Sequence, residues 1–473
     1  MGALVHAYGF LAAEEMMDAP TPHLSRTLTL GPVVLFGLAY MAPMIVLGTF
    51  GVLDDDTGGV VPTAYLLALV AMLFTAISYG RMAAAYPVAG SAYTYTRRTI
   101  DARVGFLVGW AVLLDYFFLP MVIWLIGAAY LHDQFPATPA WVWIVLFIVA
   151  TTALNVVGIK LAANVNLLLM AMQVLVLIFF VVLSFRHVSS TAGFGAMFSG
   201  VPFGHSGTTV SKVAAGAAVA AYSFLGFDAI TTLTEETKDA RRTIPRAIVL
   251  VTVLGGVIFV IAAYATQLAA LRVHVKNSDT AASDIAHAIG GQLFGAIFLA
   301  GLVITQFASG IAAQASASRL LYAMGRDSVL PHKVFGYVHR AFHTPVFNIA
   351  AIGVVGIVAV GLNVSESTGF INFGAFTAFT FVNLCVIALS IRRGTLRGAR
   401  GILANLIAPL IGAGVCVWLL TNLDTIAIVL GVIWLALGIC YLTYLTRGFR
   451  KAPPEVAFTE EDRPDETPEL QLS

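Results

Sequence analysis

Twelve apolar runs, each about as long as a bilayer is thick, constrain this chain more than any other feature. A hydrocarbon core takes roughly 20 apolar residues in helical form. Runs at 30–53, 60–82, 104–131, 141–157, 161–185, 213–233, 247–271, 289–317, 346–362, 370–391, 402–420 and 426–445 approach or exceed that length, with short polar breaks between them. Lipid offers no partner to a bare amide or carbonyl, so a spanning segment is either a helix or a strand of a closed barrel. Barrel strands alternate lipid-facing and lumen-facing residues over about 10 positions. These runs are continuously apolar, and the expected fold is all-α and embedded in the lipid bilayer. Charged residues make up 11% of the chain, against about 25% in a soluble domain.

Charge placement orients the runs. Lys and Arg gather in short cytoplasmic loops, and with a cytoplasmic start the loops here follow that rule. Asp54, Asp55, Asp56, His132, Asp133, Glu366 and Asp424 fall outside, with Arg186, Lys212, Arg272 and Lys276 as the cations on that side. The remaining 22 of the 26 Lys and Arg fall inside, among them Arg97, Arg98, Arg103, Arg241, Arg242, Arg246, Arg392 and Arg393. Both termini are expected to be cytoplasmic. Residues 1–27 carry Glu14, Glu15 and Asp18 ahead of a full-length run, which does not match a cleavable signal peptide. The stretch 451–473 is Pro-rich and acidic and is read as a disordered cytoplasmic tail.

Several chemistries find no support. The cysteines Cys385, Cys416 and Cys440 are far apart within late runs, and the ten histidines show no ligand spacing with other metal-binding residues, so neither disulfides nor a metal or other cofactor is expected. The net charge of +1 gives no basis for a nucleic-acid partner. No obligate protein partner is evident, and no nucleophile or cofactor constellation falls inside the runs. The loops are too short for a receptor domain, and no repeated pore segment suggests a channel.

Two runs are interrupted. The first contains GLAYMAPMIVLG at 37–48, with Pro43 near its centre. Proline lacks an N–H and clashes with the preceding turn. It either kinks a continuous helix against its neighbours or begins a second half-helix after an unwound turn at Met41 and Ala42. The sixth run contains AYSFLGFDAITTLTEE at 221–236, with Gly226 and Asp228 inside the apolar stretch. Breaks in runs one and six of a ten-run core are what a five-plus-five inverted repeat places around a midplane binding site.

At these residues the chain resembles the amino acid, polyamine and organocation superfamily of transporters, and within it is similar to the bacterial putrescine importers. The likeness is carried by GLAYMAPMIVLGTFGV in run one and by YPVAGSAYTYTRRTIDARVGFLVGWAVLLDYFFLP leading through run three. It continues in SFLGFDAITTLTEETKDARRTIPRAI after the second break, RLLYAMGRDSVLP after run eight and then HTPVFN. It extends over about 28–450. The resemblance implies twelve transmembrane helices, a transport core at 28–391 holding helices one to ten with helices one and six discontinuous, and helices eleven and twelve at 392–450. It implies alternating access around a central site, no enzymatic reaction, and residence in a bacterial inner membrane.

The residues themselves point to a cationic substrate. A half-helix that ends at a break turns carbonyls toward the cavity, which suits a cation. Amino acid carriers of the superfamily usually have a Gly-Ser-Gly type segment at the first break, where bare amides meet a carboxylate. Here Tyr40, Met41, Ala42 and Pro43 take that place, bulkier and short of one donor. Asp115 lies mid-run in the third span, where an isolated carboxylate costs about 3 kcal/mol to insert; it is expected to face the pocket, or else to fix helix packing through a hydrogen bond. Asp228, just past the second break, would receive an ammonium, carry the coupled proton or cap the restarted half-helix. Tyr40, Tyr116, Phe224 and Phe227 are candidates for aromatic contact with ammonium ends, each worth about 0.5–2 kcal/mol. Glu235 and Glu236 read as a salt-bridged cytoplasmic helix end.

Two acids and no carboxylate seat suit a small diamine such as putrescine. The expected function is therefore import of putrescine or a related polyamine by proton symport, with Asp228 or Asp115 carrying the proton. The alternative is a cationic or neutral amino acid permease or exchanger of the same superfamily. Some proton-linked relatives place a lysine in span five where this chain has Gln173. Span eight carries Thr305, Ser309, Ser316 and Ser318, so sodium coupling stays open beside protons.

Overall fold

The computed structural model describes residues 27–87, 91–157, 163–326, 329–339, 342 and 344–454. Most of the cytoplasmic N-terminal segment expected at 1–27 and of the tail expected at 451–473 lies outside the described residues. Eleven helices among those described are long and apolar enough to cross a membrane, and no strand occurs among them. The all-α membrane fold read from hydropathy is therefore present. Run nine is the exception in length. It forms an α-helix at Val346–Gly356 continued by a 3-10 turn at Ile357–Gly361, about 26 Å in all at the two helical rises.

The spans are longer than their apolar cores. Run three becomes Ala102–Gln134, opened by the Asp101 side chain accepting from the Arg103 amide. Run eight becomes Ala281–Arg326 with a non-helical residue at Gly291. Run eleven passes through a π-helical turn at Leu403–Ile407, and the Arg81 guanidinium of run two donates to the Ala404 carbonyl inside that turn. Buried amides tie helices that lipid alone would not hold. Asn383 of run ten accepts from Ser78 at 2.6 Å and donates to Thr75 at 3.1 Å, both in run two. Gln314 of run eight accepts from Asn155 at 3.0 Å and donates to Thr152 at 2.8 Å, both in run four.

Both interruptions are real. The first helix runs Leu30–Tyr40, stops, and resumes at Ile45–Gly48 and then Phe50–Thr57. Ala42 has φ 45°, a left-handed conformation unusual for a residue with a Cβ. The α-helix resumes two residues after Pro43, which lies in the connecting turn, while the Ile45 amide closes onto the Ala42 carbonyl at 2.8 Å. Run six is helical over Val210–Ala220, tightens to 3-10 at Ala221–Phe224, turns at 225–228, and resumes as a 3-10 helix at Ala229–Glu236. Eight residues is long for that geometry. Threonine hydroxyls sustain it by bonding carbonyls three residues back, Thr231 to Asp228 at 2.7 Å and Thr232 to Ala229 at 2.6 Å.

The start of run one and the end of run six are joined by backbone pairing. The Leu28 amide donates to the Glu236 carbonyl and the Lys238 amide to the Leu28 carbonyl, each at 2.9 Å. At the other end of run one, Phe50–Thr57 closes on Gly58 in the left-handed region. Asp56 on this segment has its carboxyl pushed up to about 6 by burial, with the charges of Asp55 and Asp424 adding to the rise. An unfolded aspartate titrates near 3.9, so the folded chain holds this proton more tightly. The stability that Asp56 contributes is complete below about pH 4 and is lost as pH rises through about 6. Asp56→Asn is expected to melt about 1–3 °C above the native chain at pH 8 in detergent. The gap should close at pH 4; a gap that is independent of pH would refute the assignment.

Candidate functional site

The two breaks meet. Gly226 has φ 110°, and a Cβ there would lie 2.2 Å from Cδ1 of Tyr40. Only glycine supplies both that backbone angle and that closeness. The second contact between the broken runs is at Gly37, where a Cβ would lie 2.7 Å from Cδ1 of Ile230. Tyr40 therefore ends the first half of run one directly against the turn of run six.

Carbonyls crowd the first break. The Met41 and Ala42 amides close onto Gly37 and Ala39 at 3.1 and 3.2 Å. The Leu38, Tyr40 and Met41 carbonyls receive no backbone amide among the described residues. This is the negative end of a half-helix with its acceptors unmet. Met41 itself is buried, and its Sδ and Cε pack against Gly255 of run seven.

Asp115 and Asp228 converge on the same place from different helices. Asp115 is near the middle of Ala102–Gln134, and Asp228 is the residue from which Ala229–Glu236 starts. Each lies within electrostatic range of the other and of Tyr40 and Tyr116. Both are partly buried. One carboxylate oxygen of Asp115 is buried and has no hydrogen-bond partner, so Asp115 spends none of that oxygen on helix packing. The Asp228 carboxylate lies beside the amides of Gly226 and Ala229 and its own, yet it makes no capping hydrogen bond to the helix that it precedes.

The aromatic candidates divide. Tyr40 is 37% exposed and Tyr116 partly so, and both lie within electrostatic range of the acids. Phe227 is fully buried and packs edge-on to Tyr79 at 5.7 Å and against Phe379 at 5.2 Å. Phe224 is also fully buried, edge-on to Phe259 of run seven at 5.2 Å. Three tyrosines that the sequence reading passed over join the site. Tyr79 and Tyr95, 6.2 Å apart by ring centroid, lie within range of Asp228, and Tyr222 lies within range of Asp115. The Tyr95 hydroxyl is buried without a partner. Tyr93 and Tyr95 alternate in SAYTYT at 91–96, quoted above for its likeness, and nothing in that pattern distinguishes the inward ring.

Beside the first break lies a small void with about 10 Å3 of room for the centre of a water-sized occupant, walled by Ala42, Met44, Ile45, Thr305 and Gln306. The Thr305 hydroxyl and the Gln306 amide nitrogen are buried without partners, as is the side-chain oxygen of Gln173. Ser318 instead bonds the Ala315 carbonyl on its own helix at 2.9 Å. Among the described residues no group of three or more His, Cys, Asp or Glu is placed to hold a metal ion. The arrangement can accept N–H donors from a cationic guest, using two carboxylates, phenol oxygens and open carbonyls.

Comparison with known proteins bears on the same stretch. The amino acid permease family model matches residues 33–441. The low-affinity putrescine importer PlaP of Escherichia coli (strain K12) is 42% identical over 442 residues, covering 92% of this chain and 98% of that protein. The methylthioribose transporter of Bacillus subtilis (strain 168) is 26% identical over 449 residues, covering 89% and 94%. The cationic amino acid transporter 4 of Mus musculus is 28% identical over 406 residues, covering 81% and 62%.

Proposed function

The chain belongs to the amino acid permease family, a multi-pass membrane transporter and not an enzyme, and from that premise we propose that it imports putrescine or a closely related polyamine. The observation that carries this reading is the pairing of Asp115 and Asp228 beside open carbonyls at the first break. Two ammonium groups can each find an acidic end there, and a substrate carboxylate would meet acceptors in place of donors. Tyr40 and Tyr116 supply faces for the methylene chain and the charged ends. The likeness to an importer of putrescine supports the same choice.

In this reading twelve helices form a five-plus-five inverted repeat in a bacterial inner membrane, with both termini cytoplasmic. The run 346–361 is the ninth of the twelve. Access alternates between the two faces around the breaks at 41–44 and 225–228. A proton moves with the substrate, carried by Asp228 or Asp115, the two acids that lie between the breaks. The small void beside Thr305 and Gln306 keeps a sodium ion as the other candidate for coupling.

The test is uptake of radiolabelled putrescine into proteoliposomes under an imposed pH gradient, acid outside, with and without sodium. Saturable accumulation driven by the proton gradient is expected. Accumulation that requires sodium would overturn the coupling, and absence of saturable uptake would overturn the function. A second reading assigns a cationic amino acid, motivated by the mouse relative. Stronger competition by arginine, lysine or ornithine than by unlabelled putrescine would favour it.

A further inference from the structure

A second hollow opens at the outer face, away from the two breaks. It encloses about 530 Å3 between the outer end of Ala102–Gln134, the start of Ala140–Val157, the segment preceding run eight and the end of run nine. His132, Asp133 and Asp279 form its polar wall, and Trp141, Ile144 and Leu362 part of its apolar one.

The chemistry of that wall is one-sided. Nδ1 of His132 lies 2.8 Å from the Thr138 carbonyl oxygen. A carbonyl only accepts, so Nδ1 carries the proton, and in the neutral ring Nε2 is left as an acceptor. Neither Asp133 nor Asp279 has an ion-pair partner among the described residues, and the neighbouring Lys276 ammonium goes to Asp284 at 3.5 Å. The side-chain oxygens of Asn277 and Asn363 at the rim already accept backbone amides, at 3.0 and 2.8 Å. Two carboxylates and an imidazole acceptor, with no cation paired to the carboxylates among the described residues, suit a guest that brings positive charge and its own N–H donors. Trp141 is 54% exposed, and an indole face is the most favourable aromatic seat for an ammonium.

The hollow also abuts the moving part of the transport reading. The segment bearing Asp279 rests on the outer half of run one, where a Cβ on Gly51 would lie 2.1 Å from the Ser278 carbonyl oxygen. Tyr130, one turn before Asp133, donates its hydroxyl to the Leu47 carbonyl at 3.0 Å. An occupant would thus press on walls that touch the restarted half-helix at two points.

We propose that this hollow is a peripheral binding site for a primary alkylammonium group, separate from the site between the breaks. Two sources present that group at the outer face, a second molecule of the diamine and the ethanolamine headgroup of an outer-leaflet lipid. Only the first source rests on the transport reading. The experiment uses the full chain in nanodiscs with and without phosphatidylethanolamine. Radiolabelled putrescine binding is measured on Asp115→Asn and on Asp115→Asn combined with Asp133→Asn and Asp279→Asn. In discs without the amine lipid, Asp115→Asn is expected to retain about one equivalent of putrescine, bound at least tenfold more weakly once the outer aspartates are neutralised. Trp141→Ala, a milder change, should weaken it severalfold, and matching melting curves verify that each variant is folded. If the headgroup is the occupant, native mass spectrometry should instead find one phosphatidylethanolamine retained on the native chain and lost from Asp133→Asn/Asp279→Asn. Absence of both guests, or persistence of both in the outer double variant, would overturn the proposal. Failure of the transport reading shows separately, as a lack of putrescine uptake by the native chain.

Discussion

Asp115→Asn is expected to lower putrescine uptake on the order of 100-fold in kcat/KM while the protein remains folded and membrane-embedded. The change preserves shape and removes the charge. A hydrogen bond to an ionised group contributes about 1.5–3 kcal/mol, and each 1.4 kcal/mol is a factor of ten. The unpartnered carboxylate oxygen of Asp115 has no competing structural task that the substitution would disturb. Melting of the purified variant should therefore match or slightly exceed that of the native chain, since an isolated carboxylate no longer has to be held out of water. Native uptake by a folded Asp115→Asn chain would remove the acid from the substrate site. A collapse of stability together with uptake would make it a packing residue.

The second large effect belongs to Gly226. An alanine there takes a backbone angle of φ 110°, which costs about 1–3 kcal/mol for a residue with a Cβ. It also places that Cβ 2.2 Å from the Tyr40 ring. The ring or the turn must move, and either movement separates the two breaks. Gly226→Ala is expected to reduce uptake at least tenfold and to lower the melting temperature in detergent. Adding Tyr40→Ala relieves the clash and leaves the backbone strain, so the double variant should recover part of the lost stability without recovering uptake. Full stability and uptake in Gly226→Ala would mean that the breaks tolerate a wider separation than the contact implies.

Most of the spans were legible because apolar length is a local property of sequence, and the breaks were legible because Pro43, Gly226 and Asp228 each contradict their surroundings. Other features depend on tertiary partners. The 3-10 geometry of Ala229–Glu236 rests on threonine hydroxyls returning to carbonyls, and threonine in an apolar run carries no unique signal of that. Run nine reads as a full span by hydropathy and reaches its length partly through a 3-10 extension. Tyr79, Tyr95 and Tyr222 lie near the acids because of how run two, the short helix Ser91–Thr99 and run six pack, and aromatic content of 11% makes any one ring unremarkable in the text. Phe224 and Phe227 were chosen by nearness in sequence to the break. The fold sets both fully into the interior, where they pack on Phe259 and Phe379 and steady the turn.

The tight winding of Ala229–Glu236 has a mechanical corollary. Eight residues rise about 16 Å as a 3-10 helix and about 12 Å as an α-helix, so rewinding the segment, with each amide exchanging the carbonyl three residues back for the one four back, would shorten it by roughly 4 Å. Because Glu236 and Lys238 hold the backbone of Leu28 from both sides, such a shortening would draw on the start of the first helix. The wound segment and its anchor would then behave as a spring tied to a lever.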